Sequence, residues 1–156
     1  MHFTGLDHVG FTVSDLDRSI AWYGELLGTE PTVRKIWERP YLGRIVGYPG
    51  CRIDVAVLPL PGTFLELIQY LDPPPQTGSM ETFTVGNGHL CLITEDLAAD
   101  YARLRGRAEF RSPEPVRVEW GPYEGGYICY LRDPDGITVE LVQLPPGGPA
   151  FAEAAA

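Results

Sequence analysis

Thr138-Val139-Glu140-Leu141-Val142-Gln143 is a short apolar stretch, rich in β-branched residues, with one carboxylate near its centre. The pattern Glu-Leu-aliphatic-Gln is repeated in Phe64-Leu65-Glu66-Leu67-Ile68-Gln69. Strands favour β-branched and aromatic residues and are depleted in Glu, and an unpaired buried charge costs free energy. Each stretch therefore predicts a strand whose Glu has a partner, and a metal ion would be such a partner.

The two Glu strands belong to a longer internal repeat, which begins with an offset of 81 residues. His8-Val-Gly-Phe-Thr-Val-Ser-Asp15-Leu16 aligns with His89-Leu-Cys-Leu-Ile-Thr-Glu-Asp96-Leu97, so that His matches His and Asp-Leu matches Asp-Leu. A period of this length indicates a duplicated module and is too long for a solenoid unit. Within one compact domain, we expect a first module over 5–71, a Pro-rich linker over 72–84, a second module over 85–145 and a flexible tail over 146–156.

Each module is predicted to contain a strand, a helix and three further strands. In the first module Ser14 is a favourable N-cap for the helix, and Gly28 is a favourable C-cap. The strands expected there cover 6–13, 41–47, 53–58 and 63–70. In the second module we expect strands over 88–93, 116–120, 127–132 and 137–144, and a helix over about 95–104.

Composition and charge exclude several classes of protein. The 156 residues carry a net charge of −9 without a dense cluster of Lys or Arg, which argues against nucleic acid and anionic lipid as partners. There is neither a charged-then-apolar leader nor an apolar run of about 18 residues, so we expect neither secretion nor membrane insertion. Cys51, Cys91 and Cys129 lack CxxC spacing, which favours reduced core thiols in a cytoplasmic protein.

Three motifs resemble the vicinal oxygen chelate superfamily, which includes glyoxalase I, methylmalonyl-CoA epimerase, bleomycin resistance proteins and extradiol dioxygenases. They are Leu6-Asp-His-Val-Gly followed by Ser-Asp-Leu, Gly-His89 followed by Glu-Asp-Leu, and Asp133-Pro-Asp-Gly ahead of Val-Glu140-Leu. The resemblance implies an α+β fold in which two βαβββ modules form a cupped, mostly antiparallel β-barrel-like cleft, as in the glyoxalase/bleomycin resistance/dihydroxybiphenyl dioxygenase fold. It also implies a homodimer.

The same resemblance implies that His8, Glu66, His89 and Glu140 bind one divalent metal ion. Strand parity agrees, because His8 lies opposite the face formed by Val9, Phe11 and Val13, which is apolar enough to lie under a helix. Two imidazoles and two carboxylates suit Zn, Ni, Co, Mn or Fe(II) about equally well.

The ligand count favours one type of chemistry. Four protein ligands on a six-coordinate ion leave two positions for vicinal oxygens of a small-molecule substrate, and a Lewis acid there stabilises an enediolate. Glu66 or Glu140 would act as the general base, which favours a glyoxalase-type lyase, an isomerase or an epimerase. Two alternatives stay open: a non-catalytic protein that binds an antibiotic or another small molecule, as bleomycin resistance proteins do, and an Fe(II) extradiol-type dioxygenase.

The resemblance is incomplete in places that concern the substrate. Thr12 and Tyr70 occupy positions where short bacterial glyoxalases that bind glutathione carry Arg and Asn. The resemblance therefore does not favour glutathione. Candidate substrate-pocket residues are Tyr48, Arg52, Phe64, Trp120 and Tyr127.

Overall fold

The computed structural model of the protein describes residues 2–148, and the predicted tail lies outside the described residues from position 149 onward. The chain divides into two compact units, the first ending at Gly78 and the second beginning at Ser79. Each unit contains one mixed β-sheet, with two helices in the first unit and one in the described part of the second, which confirms the predicted α+β class. No helix within residues 2–148 is long and apolar enough to cross a membrane.

The first unit forms a four-stranded sheet in the order β1-β4-β3-β2, with β1 parallel to β4 and the other pairs antiparallel. Its elements are β1 (His8–Thr12), α1 (Leu16–Leu27), β2 (Val33–Trp37), α2 (Pro40–Val46), β3 (Arg52–Leu60) and β4 (Thr63–Asp72).

The second unit repeats the central part of this arrangement. Its sheet has the order β5-β9-β8-β6, with β5 parallel to β9, and a further short strand, β7, pairs with β8. Its elements are β5 (His89–Ile93), α3 (Leu97–Leu104), β6 (Glu109–Phe110), β7 (Val116–Arg117), β8 (Tyr127–Arg132) and β9 (Thr138–Gln143).

The Asp-Leu pair of the repeat begins the first helix of each unit. Asp15 is the N-cap of α1, and its side chain accepts a hydrogen bond from the backbone N–H of Arg18 (2.9 Å). The prediction that Ser14 is the N-cap was wrong, because the Asp15 carboxylate is one residue closer to the first turn. Asp96 caps α3 in the same way, and the Leu that follows each cap is fully buried.

The Gln of each Glu strand also binds a helix start. Oε1 of Gln69 accepts a hydrogen bond from the backbone N–H of Leu16 (2.8 Å), and Oε1 of Gln143 accepts one from Leu97 (3.0 Å). These N–H groups belong to the first turn of a helix, where the helix itself offers no acceptor. The repeated Glu-Leu-aliphatic-Gln pattern is thereby explained, since Glu and Gln are three residues apart and lie on opposite faces of the strand.

Residues 40–46 form a helix, so the strand predicted over 41–47 was wrong. Pro40 stands in the first turn of α2, and Gly47 follows its end with a φ of 80°. Proline at the start and glycine in the left-handed conformation at the end are typical of a helix. The strand expected over 116–120 is also shorter, covering only Val116–Arg117.

The sheet of the first unit has one face under α1 and another that carries the predicted site. Leu65 and Leu67 of β4 are fully buried on the first face, together with Leu16 and Tyr23 of α1. The even-numbered residues of β4 alternate to the second face. This second face bears Glu66, Ile68 and Tyr70.

Candidate functional site

His8 and Glu66 lie next to each other on the second face of the first sheet. The distance between Nε2 of His8 and Oε2 of Glu66 is 3.5 Å. Glu66 is paired in register with Gly10, and a Cβ at Gly10 would lie 3.8 Å from Oε2 of Glu66 and 3.9 Å from Cδ2 of His8. The parallel pairing of β1 with β4 therefore brings the two side chains to one point of the sheet.

Asp7 orients the His8 ring. Nδ1–H of His8 donates a hydrogen bond to Oδ2 of Asp7 (2.8 Å). This hydrogen bond, together with the nearby charges of Glu66 and Asp7, raises the pKa of His8 above its ordinary value of 6.5. A carboxylate on Nδ1 fixes the tautomer in which Nε2 has a free lone pair, which is how metal-binding histidines are commonly held.

His89 and Glu140 form the matching pair of the second unit. Nε2 of His89 is 2.8 Å from Oε2 of Glu140, and the ring of Tyr130 lies 5.5 Å from the His89 ring, centroid to centroid. Tyr130 and Cys91 are the sheet neighbours of Glu140, and after desolvation the nearby Glu140 contributes to raising the pKa of both groups. Desolvation, followed by the effects of Glu140, raises the pKa of Cys91 to about 11, so this thiol is neutral near pH 7.

The surroundings of Glu66 are less constraining than those of Glu140. In strand register Glu66 is flanked by Gly10 and Val57, which offer no polar side chain, where Glu140 is flanked by Cys91 and Tyr130. The side chain of Glu66 is 28% exposed and that of Glu140 is 13% exposed. Glu66 is thus the carboxylate with more freedom to move.

The donor types in both pairs fit a divalent metal. A neutral imidazole and a carboxylate are ordinary ligands of Zn, Mn, Co, Ni and Fe(II), and each unit supplies one of each. Within the described residues, groups of three or more His, Cys, Asp or Glu side chains suited to hold an ion are not found. What the structure brings together is therefore His8 with Glu66 and His89 with Glu140, each within its own unit.

The three candidate pocket residues of the first unit have different positions. Phe64 is two residues before Glu66 on β4, shares its face and is partly exposed. Tyr48 lines a cavity of about 340 Å³ together with Tyr70. Arg52 forms an ion pair with Glu38 (3.2 Å). It is the first residue of β3, whereas Phe64 is paired with Pro59 near the last residue of that strand.

In the second unit, Trp120 lies in the loop after β7 and is 87% exposed. Tyr127 is paired in register with Gln143, so it lies on the face of the sheet opposite Glu140. A cavity of about 370 Å³ on this unit is lined by Arg111, Arg117 and Tyr130, among others.

Sequence reasoning missed the residues that support the two pairs. Asp7 directly precedes His8, and a carboxylate beside a suspected metal ligand is a recognisable signal. Cys91 occupies the repeat position of Gly10, so it could also have been noticed as a side chain near Glu140. The role of Tyr130 depends on the register between β8 and β9, which the sequence does not reveal.

Comparisons with known proteins agree on one family. The family model described as Glyoxalase/Bleomycin resistance protein/Dioxygenase superfamily matches residues 5–141. A 2-epi-5-epi-valiolone epimerase from an Actinomyces species is 29% identical over 147 residues, which cover 91% of this chain and 80% of the relative. A lactoylglutathione lyase from Salmonella typhimurium is 30% identical over 148 residues, covering 90% of this chain and 93% of the relative.

Structural comparison gives the same fold. A glyoxalase family protein from Bacillus cereus matches with a TM-score of 0.77 at 24% identity, covering 93% of this chain and 99% of that protein. Some relatives are much longer, since this chain spans 46% of the length of a lactoylglutathione lyase from Arabidopsis thaliana.

Proposed function

The chain belongs to the Glyoxalase/Bleomycin resistance protein/Dioxygenase superfamily, and from this premise we propose that it is a divalent-metal-dependent enzyme of the glyoxalase type, either a lyase or an isomerase or epimerase. The observation that carries the proposal is the repeated His–Glu pair, with Nε2 of His8 and His89 next to a carboxylate oxygen of Glu66 and Glu140. The names of the relatives, a lactoylglutathione lyase and an epimerase, support the same class of enzyme.

We propose that His8, Glu66, His89 and Glu140 together hold one Zn, Ni, Co, Mn or Fe ion. When bound, such an ion acts as a Lewis acid that polarises a carbonyl oxygen and the oxygen beside it. Asp7 would support metal binding by His8, because its hydrogen bond orients the His8 ring.

We assign the general base to Glu66. In the sheet Glu140 lies between Tyr130 and Cys91, and its carboxylate is 2.8 Å from Nε2 of His89, which leaves it less room to move than Glu66 has. Glu66 lies next to Gly10, so its carboxylate has room to turn toward a substrate. An Oε atom of Glu66 would take the proton from the carbon beside the carbonyl. In a lyase or isomerase it would return the proton to the neighbouring carbon, and in an epimerase it would return it to the opposite face of the same carbon.

Two further properties belong to the proposal. Homodimers are common in this family, and we expect the chain to form one, which sedimentation velocity would measure. We also expect a cytoplasmic protein, and the free thiols of Cys51, Cys91 and Cys129 suit a reducing compartment.

The test is exchange of the proton at the α-carbon. The purified protein is loaded in turn with Zn, Ni, Co, Mn and Fe(II), and α-hydroxy ketones and 2-oxo compounds are followed by proton NMR in D₂O. We expect exchange without oxygen consumption, and no exchange after chelation. Binding of metal without exchange of any substrate, or oxygen uptake with catechols on Fe(II), would contradict the proposal, and a protein that binds no metal would favour a non-catalytic binder.

A further inference from the structure

A cavity of about 340 Å³ lies within the first unit, on the same face of the sheet as the His8–Glu66 pair. Tyr70, which lines it, is on β4 four residues after Glu66, and Thr12, another lining residue, is paired in register with Ile68. Side chains two residues apart on a strand share a face and are about 7 Å apart. The cavity therefore begins one such step beyond Glu66.

The described residues that line this cavity carry no formal charge. Its walls are the rings of Tyr48 and Tyr70 and the run Pro73–Pro75, with Thr12 and Gln76 as further polar groups. The two Tyr rings meet edge to face, with centroids 6.2 Å apart and an interplanar angle of 84°. Desolvation raises the pKa of Tyr70, so this phenol stays uncharged near neutral pH.

This lining selects for one kind of ligand. Aromatic faces and proline rings present flat apolar walls that suit a saturated or aromatic ring, and the hydroxyl and amide groups offer hydrogen bonds to ring substituents. A carboxylate or ammonium group bound there would find no counter-charge among these residues, so the lining gives a charged ligand no electrostatic advantage. The volume lies near the lower end of ordinary small-molecule sites, about 300–1,000 Å³.

We propose that this cavity binds the body of the substrate, and that the substrate is an uncharged ring which carries a ketone and a neighbouring hydroxyl. The inference rests on the proposed function, in which Glu66 is the general base, because it places the ketone and hydroxyl oxygens at the end of the ring nearest Glu66. Tyr48 is then a specificity-determining residue, since it is exposed enough to contact a ligand and forms one wall with Tyr70.

Binding to the full-length protein tests the proposal directly. The probes are 2-hydroxycyclohexanone, which has the ring, acetoin, which has the same oxygens without the ring, and S-hexylglutathione, which is charged. We expect 2-hydroxycyclohexanone to bind at least about tenfold more tightly than acetoin, because the ring buries two additional methylene groups. Saturation-transfer NMR with titration measures the dissociation constants.

Variants identify the cavity as the place of binding. Tyr48→Ala is expected to reduce the preference for the ring to about twofold or less, and Tyr41→Ala, at a half-exposed Tyr of α2 that does not line the cavity, is expected to keep it. Thr12→Arg adds a cation at an exposed lining position and is expected to weaken binding of the ring and strengthen binding of S-hexylglutathione. If Tyr48→Ala does not fold, Thr12→Arg alone tests whether the ring binds in this cavity.

Equal affinity for ring and acetoin, tighter binding of S-hexylglutathione by the wild type, or an unchanged preference in both cavity variants would overturn the inference. Proton exchange on the metal-loaded protein separates this failure from that of the proposed function. If both ketones exchange but bind with equal affinity, the enzyme is confirmed and the ring site is refuted. If the ring binds with the expected preference and neither ketone exchanges, the cavity binds a ring and the proposed function is refuted.

Discussion

Replacing Gln69 by Met removes the hydrogen-bond acceptor of the first turn of α1 and leaves the volume of the side chain nearly unchanged. The backbone N–H of Leu16 then loses its partner at 2.8 Å, and Leu16 itself is fully buried, so water replaces the acceptor poorly. An unsatisfied buried donor costs about 1–3 kcal/mol in free energy of unfolding. For a chain of 156 residues, a loss of about 2 kcal/mol lowers Tm by about 4–8 °C.

Thermal unfolding followed by circular dichroism measures this change, and urea unfolding gives an independent free energy. The matched variant Gln143→Met removes the equivalent acceptor from Leu97 and should have an effect of similar size. Gln76→Met, at an exposed position outside both sheets, is the control and should leave Tm within about 1 °C. An unchanged Tm in both cap variants, or an equal decrease in the control, would refute the reasoning about the repeated Gln.

Three other substitutions have expected outcomes. Asp7→Asn should lower the pKa of His8 toward 6.5 in an NMR titration. Because that pKa is raised in the folded protein, the stability that Asp7 contributes should be present below pH 6.5. It should disappear as pH rises through the folded-state pKa. Gly43→Ala should lower Tm in the same melting assay, since a Cβ there would lie 2.6 Å from the backbone oxygen of Tyr48. Glu66→Gln should reduce α-proton exchange by at least about 100-fold with an unchanged circular dichroism spectrum, and a rate near that of the wild type would remove Glu66 as the base.

The sequence predicted the parts of the fold that are repeated. Matching His8 with His89 and Glu66 with Glu140 was enough to predict two similar units, because a strand residue at the same place in each unit has the same sheet neighbours. Each His does lie beside its Glu. Parallel pairing, which brings each His strand next to the Glu strand, is a property of the whole sheet and is not visible in either strand alone.

The errors have local causes. The sequence of α2 contains β-branched and aromatic residues, which are typical of strands, but Leu42 of this helix packs with Ile53 and Val55 of β3 in a small core that stabilises the helix. Tyr48 was predicted as a pocket residue, but the other walls of its cavity were not, because the position of Pro73–Pro75 beside Tyr48 and Tyr70 is not visible in the sequence. Tertiary contacts decide such segments, since local propensity is weak.

Metal titration of the wild type and of four single variants tests the central claim most directly. If His8, Glu66, His89 and Glu140 serve one ion, isothermal titration with Zn or Mn gives one ion per chain. His8→Ala, His89→Ala, Glu66→Gln and Glu140→Gln should each weaken that binding by at least about tenfold. Two independent ions per chain, or a Glu140→Gln variant that keeps wild-type affinity, would contradict the account.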